Sequence, residues 1–390
     1  MKILYIQHVS VLGGSSRSLY ELISNLPNSV EPTVLCPKGE FSDFLEAKGI
    51  STIYVRGVPQ FDNTRIGFYR KFRWLILLRE MYYLPFFIKV MNRCKKENFD
   101  IVHVNEITQI FSIIFGKKIS LGVVSNVRSV QRKSDSWRNY IIEKIISRYV
   151  DMLIPIDETV KASLPSGVIS TVVHNGITLD NIKLNKQSKK FTVGIVSNFQ
   201  RYKGILEFID AANICINENK LDINFVVYGA SYNKIKHGIK DKLLQILGFR
   251  ENLDEMIENK IKKYNLGSNF ELKGYVANHN NIYNFIDILV FPSHLNAVGR
   301  PVFEAAFYKV PSIVAIKNPL KDTMIDNVTG LVIKEKDKYD LADKILYFYS
   351  NPSKLKMMGL NAFKNANKNF NSQINSLKVF DIYQNIIKKS

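Results

Sequence analysis

Short apolar segments alternate with longer amphipathic segments along the whole chain of 390 residues. The short segments are rich in β-branched residues, which is typical of buried parallel strands, and the longer ones repeat their apolar residues at helical spacing. The pattern therefore predicts an α/β fold. In the first half, strands are predicted at residues 2–7, 32–36, 51–55, 100–104, 121–127, 151–154 and 170–173, with helices at 16–26 and 138–149.

A polar stretch rich in lysine and asparagine interrupts this alternation between Thr178 and Lys190. Because a new strand is predicted from Phe191 to Ser197, we expect a boundary near residue 180 between two α/β domains. Two such domains would face each other across a cleft, with ligands at the carboxyl ends of the strands. Further strands are predicted at 223–228, 269–273, 287–291 and 311–315, and a mixed-charge helical stretch at 231–264.

The formal net charge of +19 points to an anionic partner such as phosphate, nucleic acid or acidic lipid, although a biased genome also produces lysine-rich chains. No nucleic-acid motif is present, so we expect no nucleic-acid partner. Cys36, Cys94 and Cys215 are far apart and form no CxxC pair, which argues against a disulfide framework or structural zinc. No secretory signal or membrane-spanning run is recognised, so we expect a cytoplasmic protein.

Residues 65–96 combine aromatic and basic side chains and hold almost no acidic ones. A basic amphipathic helix of this kind suits the surface of an anionic membrane, where aromatic rings insert among the headgroups. The alternative is a helix packed on the sheet with a solvated basic face. The segment contains Arg65, Arg70, Lys71, Arg73, Trp74, Arg79, Tyr82, Tyr83, Phe86, Phe87, Lys89, Arg93, Lys95 and Lys96.

In the first half, polar and glycine residues follow predicted strands. Gly13 and Gly14 lie between the first strand and a helix, where backbone N–H groups can meet a phosphate or an acceptor, although a structural turn explains such a pair as well. His103 and Asn105 end one strand, and Arg128 ends the next. An arginine at a strand end can hold phosphate oxygens bidentately, whereas a lone histidine is more often a core residue.

In the second half, two segments follow strands in the same way. The turn from Asn198 to Gly204 carries Arg201 and Lys203, which can bind phosphate. The segment from Pro292 to Glu304 contains a Gly299-Arg300-Pro301 turn, which offers N–H groups at the start of a helix, and Glu304 can accept hydrogen bonds from a ribose diol.

With Val172-Val-His-Asn-Gly-Ile177, these segments resemble the retaining GT-B glycosyltransferases, especially glycosyltransferase family 4. The resemblance implies two Rossmann-like domains, residues 1–180 on the acceptor side and 181–370 on the donor side, and a helix at 371–390 crossing back to the first. It also implies residue roles. The expected catalytic set is Lys203, Arg201 and Arg128; the donor-binding set is Asn198, Gly204, Gly229, Tyr275, Val276, Asn296, Val298, Gly299, Arg300, Pro301 and Glu304; the acceptor or phosphate loop is Gly13, Gly14, His103 and Asn105.

The chain departs from the family pattern at two positions. Asn198 stands where the family has an arginine of the diphosphate clamp, for which Arg201 is a possible substitute. Asn296 stands where the family has a glutamate that binds hydroxyls of the transferred sugar, and an amide binds a hydroxyl without charge. Both changes bear on the sugar specificity and on the rate of transfer.

The activity implied is retaining transfer of a hexosyl-type unit from a UDP- or GDP-linked sugar to a saccharide or lipid-linked saccharide, in bacterial surface polysaccharide synthesis. No cofactor is expected, and no metal, because no Asp-x-Asp pair offers a site. The membrane contact of residues 65–96 would place the protein on the inner face of the membrane. The alternatives are a nucleotide-sugar epimerase on the same fold and a catalytically weakened binding protein.

Overall fold

A computed structural model describes residues 1–62, 64, 75–132, 137–178, 182–187, 189–229, 253–296 and 298–389. The chain divides into two compact units. Unit 1 comprises Met1–Thr178 with Phe370–Ser390, and unit 2 comprises Leu179–Asn369. The chain thus leaves unit 1 two residues before the expected boundary and re-enters it one residue before the expected C-terminal segment.

Unit 1 contains a six-stranded parallel sheet with the strand order β3-β2-β1-β4-β5-β6. This is a Rossmann-like order, in which the chain reverses direction across the sheet between β1 and β4. The strands β1–β6 are Lys2–Ile6, Glu31–Pro37, Ser51–Val55, Phe99–Val104, Ser120–Val127 and Met152–Pro155. The helices α1–α6 are Gly14–Ser24, Glu40–Ala47, Ile76–Cys94, Ile110–Ile119, Trp137–Tyr149 and Glu158–Lys161.

Alternate residues of these strands belong to two separate hydrophobic cores, one on each face of the sheet, as the pleat of a sheet requires. Ile3 and Tyr5 of β1 belong to a cluster with α1 and α2, whereas Leu4 and Ile6 belong to a cluster with α3 and α4. All four side chains are fully buried. A sheet covered on both faces explains why these strands read as continuous apolar runs rather than as alternating ones.

Unit 2 repeats the topology, with the strand order β9-β8-β7-β10-β11-β12 and the reversal between β7 and β10. The strands β7–β12 are Thr192–Val196, Asn224–Tyr228, Phe270–Gly274, Ile288–Phe291, Ser312–Ala315 and Gly330–Ile333. The helices α7–α12 are Ile205–Asn213, Leu253–Lys263, Asn280–Tyr283, Arg300–Phe307, Lys338–Ser350 and Pro352–Asn369.

The structure corrects the predicted elements at several places. Residues 170–173 do not form a strand: Ser170 makes an isolated bridge to Leu153, and the segment only runs beside β6. Strand β12 was not predicted, because it is a short apolar run after a polar loop. Of the helical stretch at 231–264, residues 231–252 lie outside the described residues, and the rest contains α8.

The basic aromatic segment is a helix from Ile76 to Cys94, while residues 65–74 lie outside the described residues. One face of this helix, α3, packs on unit 1 through Phe87 and Met91, both fully buried. The opposite face exposes large apolar side chains. Within the part of the chain that the structure describes, no helix is long and apolar enough to cross a membrane.

The C-terminal helix α13, Ser372–Ile387, packs on unit 1 through Tyr383, which is fully buried. Its hydroxyl shares a hydrogen bond with His103 Nδ1 and donates another to the Tyr5 hydroxyl (3.3 Å). Burial, with the positive charge of Arg128, lowers the pKa of His103 to about 3. His103 is therefore a neutral core residue whose hydrogen bond ties the last helix to the central strand β4.

We expect Tyr383→Phe to destabilise unit 1 by about 1–3 kcal/mol, because it leaves His103 Nδ1 buried without its partner. Urea unfolding followed by circular dichroism measures the loss. Tyr347→Phe, on the exposed side of α11, is the matched control and should change little. Equal unfolding midpoints for the two variants would show that the buried hydrogen bond contributes nothing.

Candidate functional site

In unit 1, the loops after β1, β4 and β5 meet at the carboxyl edge of the sheet, where the strand order reverses. Parallel α/β sheets bind ligands at this edge. The structure places Gly13 and Gly14 after β1, Asn105 after β4 and Arg128 after β5. These four predicted residues therefore belong to one loop cluster, whereas His103 lies below it in the core.

Arg128 is held by amide side chains from neighbouring loops. Its Nη2 and Nε donate to Asn105 Oδ1 (2.6 and 3.1 Å), and its Nη1 donates to Asn175 Oδ1 (2.6 Å). Asn126 Nδ2 donates to the same Asn105 oxygen (3.1 Å). Amide oxygens orient a guanidinium without cancelling its charge, so Arg128 is fixed in place and still cationic.

The glycine loop is tied to this network. Asn105 Nδ2 donates to Gln7 Oε1 (3.1 Å) and to the carbonyl of Ser15 (3.3 Å). Gly13 is the N-cap of α1, and no side chain caps the helix there. A Cβ atom at Gly13 or Gly14 would meet no atom of the described residues within 4 Å, so packing against them does not require glycine at either position. The pair leaves the N-terminus of α1 accessible to a ligand.

Two titratable residues beside Arg128 were missed in the sequence. Burial, followed by the charge of Arg128, lowers the pKa of His8 to about 4, and His8 Nδ1 lies 3.2 Å from Gln109 Nε2. Burial raises the pKa of Glu106 to about 7, although Arg128 and the backbone N–H of Ile107 (2.9 Å) favour its ionised form. Their positions directly after β1 and β4 are the signal that could have identified them.

We expect the stability of unit 1 to depend on Glu106 between pH 4.5 and 7. The folded-state pKa of Glu106 is raised, so the folded protein binds more protons than the unfolded one in this range and loses stability as pH rises. The loss amounts to at most about 3.5 kcal/mol, since one pKa unit corresponds to about 1.4 kcal/mol. Glu106→Gln removes the titration and keeps an oxygen for the Ile107 amide.

The measurement is the difference in unfolding free energy between wild type and Glu106→Gln at pH 5 and at pH 7.5, by urea denaturation. The variant should gain relative stability at the higher pH. Glu158→Gln, a partly exposed carboxylate of α6, serves as the control. Parallel pH profiles for wild type and Glu106→Gln would contradict the raised pKa of Glu106.

In unit 2, the turn after β7 is pressed against the end of β10. Gly204 has a φ of 76°, and a Cβ atom there would lie 2.2 Å from the carbonyl oxygen of Pro292, so only glycine fits. This approach places Lys203 Nζ 5.6 Å from the centre of the Phe291 ring and 5.3 Å from that of Tyr202. Burial lowers the pKa of Lys203. The ammonium group is thus held by aromatic faces at the strand end.

The Phe291 ring also positions the start of α10. Gly299 is the N-cap of this helix, and a Cβ atom on it would lie 2.3 Å from Phe291 Cζ. Pro301 occupies the first turn as predicted, and no side chain caps the helix. A half-buried cation and a helix N-terminus therefore lie against the same ring, an arrangement suited to the phosphates of a ligand.

Glu304 lies in the middle of α10, one turn after the Gly299-Arg300-Pro301 start. Its Oε1 accepts from Arg300 Nε (2.7 Å) and its Oε2 from the Tyr283 hydroxyl (2.7 Å), while His279 Nδ1 lies 3.9 Å away. Burial opposes ionisation, but Arg300, His279 and Tyr283 together lower the pKa of Glu304. Glu304 is thus an oriented carboxylate at neutral pH, and Arg300 is its ion-pair partner.

Asn198 and Asn296, the two positions at which the chain departs from the family pattern, differ in exposure and in backbone conformation. Asn198 is exposed. Asn296 has a φ of 49°, and its Oδ1 accepts from the backbone N–H of Lys317 (2.6 Å). That oxygen anchors the loop, so the group that Asn296 offers to a ligand is its Nδ2 donor. Beside it, Val298 is buried.

The remaining predicted site residues, three donor-binding and one catalytic, follow β7, β8 and β9. Gly229 has a φ of 97° and its N–H donates to the carbonyl of Gly274 (2.8 Å), which joins the ends of β8 and β9. Tyr275 and Val276 come directly after β9, with Tyr275 exposed. Arg201 lies on the exposed side of the turn that carries Lys203.

Two family models match the chain. Residues 12–181 match "Glycosyltransferase Family 4" and residues 177–365 match "Glycosyl transferases group 1". Among relatives, the capsular polysaccharide biosynthesis glycosyltransferase CapM of Staphylococcus aureus is 26% identical over 64% of this chain and 66% of its own. A poly(ribitol-phosphate) α-N-acetylglucosaminyltransferase of S. aureus is 27% identical over 52% of this chain and 38% of its own. The chain thus spans less than two thirds of either relative.

Solved structures share the fold. HepE of Anabaena in complex with UDP superposes with a TM-score of 0.76 at 16% identity, covering 99% of this chain and 100% of its own. A TarM variant of S. aureus superposes with a TM-score of 0.70 at 14% identity, covering 98% and 99%. The two matched models, the two Rossmann-like sheets and these superpositions lead to one assignment: the chain belongs to the glycosyltransferases of the GT-B fold.

Proposed function

We propose that this protein transfers a hexosyl-type unit, with retention at the anomeric carbon, from a UDP- or GDP-linked sugar to a saccharide or lipid-linked saccharide. The observation that carries the proposal is the Phe291 ring, which holds Lys203 and the N-terminus of α10 at the switch point of unit 2. These are the groups that a departing nucleoside diphosphate requires. HepE, which has the same fold, is known in complex with UDP and with UDP-glucose.

In the proposed reaction, the bond between the anomeric carbon and the diphosphate oxygen breaks while the acceptor oxygen bonds to the same face of that carbon. The leaving phosphate takes the acceptor proton. Lys203, with Arg201 in the same turn, stabilises the negative charge that develops on the diphosphate, and the proposal needs no metal. Glu304 binds the ribose hydroxyls, and Arg128 and the Gly13-Gly14 loop bind the acceptor side.

The sugar is proposed to contact Asn296 and Gly299. Asn296 donates from Nδ2 where the family pattern has a carboxylate acceptor, so the donor sugar should present an oxygen acceptor at that place. The capsule and wall-polymer relatives support a role in bacterial surface polysaccharide synthesis.

We expect Lys203→Ala to lower kcat/KM for transfer by about 10²–10³, because one stabilising group for the developing anion is lost. A panel of UDP- and GDP-sugars, with release of the nucleotide and product analysis by mass spectrometry, measures it. Lys364→Ala, an exposed lysine of α12, is the control. Wild-type rates for Lys203→Ala would contradict the site, and an isomerised sugar without transfer would indicate an epimerase instead.

We further propose that α3 binds the anionic inner face of the cell membrane. Its exposed face is apolar in the N-terminal half, where Leu78 and Met81 are 58% and 67% exposed, and basic in the C-terminal half, where Lys89 and Arg93 are exposed. Arg56 stacks on Phe86 of the same face (4.4 Å). Apolar insertion combined with basic residues suits anionic lipid.

Met81→Asp should weaken binding to vesicles containing phosphatidylglycerol at least tenfold, because a charge replaces the most exposed apolar side chain of the helix. Met357→Asp, on the exposed surface of α12, is the matched control. Co-sedimentation with vesicles of phosphatidylcholine alone and with phosphatidylglycerol measures both variants. Equal binding to vesicles with and without phosphatidylglycerol, or unchanged binding of the Met81→Asp variant, would overturn the membrane proposal.

A further inference from the structure

Unit 1 contains a large groove beside the loop cluster of Arg128. It has a volume of about 830 Å³ and lies between α5, α6 and the segment that follows α6. Ligand pockets typically have volumes of about 300–1,000 Å³. Besides three serines, the polar side chains along it are Gln131, Arg132, Asn139, Glu143, Glu158 and Lys161.

The groove begins at the same carboxyl edge as the Arg128 network. Ile107, which lines it, is two residues beyond Asn105, and Gln131 is three residues beyond Arg128. The helices on its sides, α5 and α6, are those that follow β5 and β6. A ligand whose reacting end lies at Arg128 can therefore extend along the groove without leaving unit 1.

The charges along the groove are balanced. Two basic residues, Arg132 and Lys161, and two acidic residues, Glu143 and Glu158, line the groove. Lys161 Nζ lies 3.7 Å from Glu158 Oε2. The chain as a whole carries a net charge of +19, so this balance departs from the average surface. Paired charges do not attract a polyanion, but they offer donors and acceptors to a ligand rich in hydroxyl groups.

Gln131 supplies a second, independent observation. Gln131 is only 7% exposed. Its Nε2 donates to the carbonyl of Ser129 (2.7 Å), and its main-chain N–H donates to Ser163 Oγ (2.9 Å). Among the described residues, nothing donates to its buried Oε1. Buried amide oxygens are rarely left without a donor, and a rotation of the Gln131 side chain toward the groove would let a ligand hydroxyl supply one.

We propose that this groove binds the part of the acceptor remote from the reacting hydroxyl, and that this part is a neutral oligosaccharide. The inference rests on the proposed function and names its substrate class. The acceptor is then an extended chain that the protein recognises over several sugar rings, so a monosaccharide is a poor acceptor. Its reacting end lies at the Arg128 cluster, and the rest lies between α5 and α6.

A printed array of neutral and anionic oligosaccharides, probed with the fluorescently labelled full chain, tests this. Ser166 is exposed and lines the groove, so Ser166→Trp fills its mouth without disturbing the core. Ser147→Trp, exposed on α5 outside the lining, is the matched control. Neutral oligosaccharides should bind the wild type and Ser147→Trp and should bind Ser166→Trp at least tenfold more weakly, with unchanged thermal midpoints.

Absence of any neutral ligand, preference for anionic glycans, or equal binding by the two tryptophan variants would overturn the inference. The array reports binding without turnover, so it separates this inference from the proposed function. Lys203→Ala should bind the array like wild type. Absence of nucleotide-sugar turnover in the wild type, with intact glycan binding, would refute the transfer reaction alone. Turnover in the wild type without binding of neutral oligosaccharides would refute the groove alone.

Discussion

The close approach of the turn after β7 to the end of β10 determines the geometry of the proposed donor site. Gly204 touches the Pro292 carbonyl, and the Phe291 ring fills the space between Lys203 and Gly299. A flexible lysine and the start of a short helix are thereby positioned by one rigid side chain of the sheet. Groups placed in this way need not be reorganised when charge develops on a bound diphosphate, which is the condition for electrostatic catalysis.

The two units organise their charged residues in opposite ways. In unit 1, amide oxygens of Asn105 and Asn175 orient Arg128 and leave its charge in place. In unit 2, Arg300 compensates the charge of Glu304, which a buried carboxylate needs in order to stay ionised. The first arrangement fixes the orientation of a cation at the edge of the sheet. The second provides a fixed acceptor for hydroxyl groups.

Most strands, β12 excepted, and the residues that follow them could be predicted because apolar runs and strand ends are local features. Gly13, Asn105, Arg128 and Gly299 were placed from sequence for this reason. Tyr283 and Phe291 could not be recognised, because their roles arise from contacts with Glu304 and Gly299 in other elements. His103 shows the opposite error: its strand was correct, but its partner is Tyr383, 280 residues away.

Asn296 meets two constraints on the shape of its loop at once. Its left-handed backbone suits asparagine better than glutamate, and its side-chain oxygen anchors Lys317 at the end of β11. A substitution by glutamate would displace this anchor and strain the backbone at the same time. Replacement of Asn296 therefore requires compensating substitutions around the loop, whereas a change at exposed Asn198 strains no left-handed backbone.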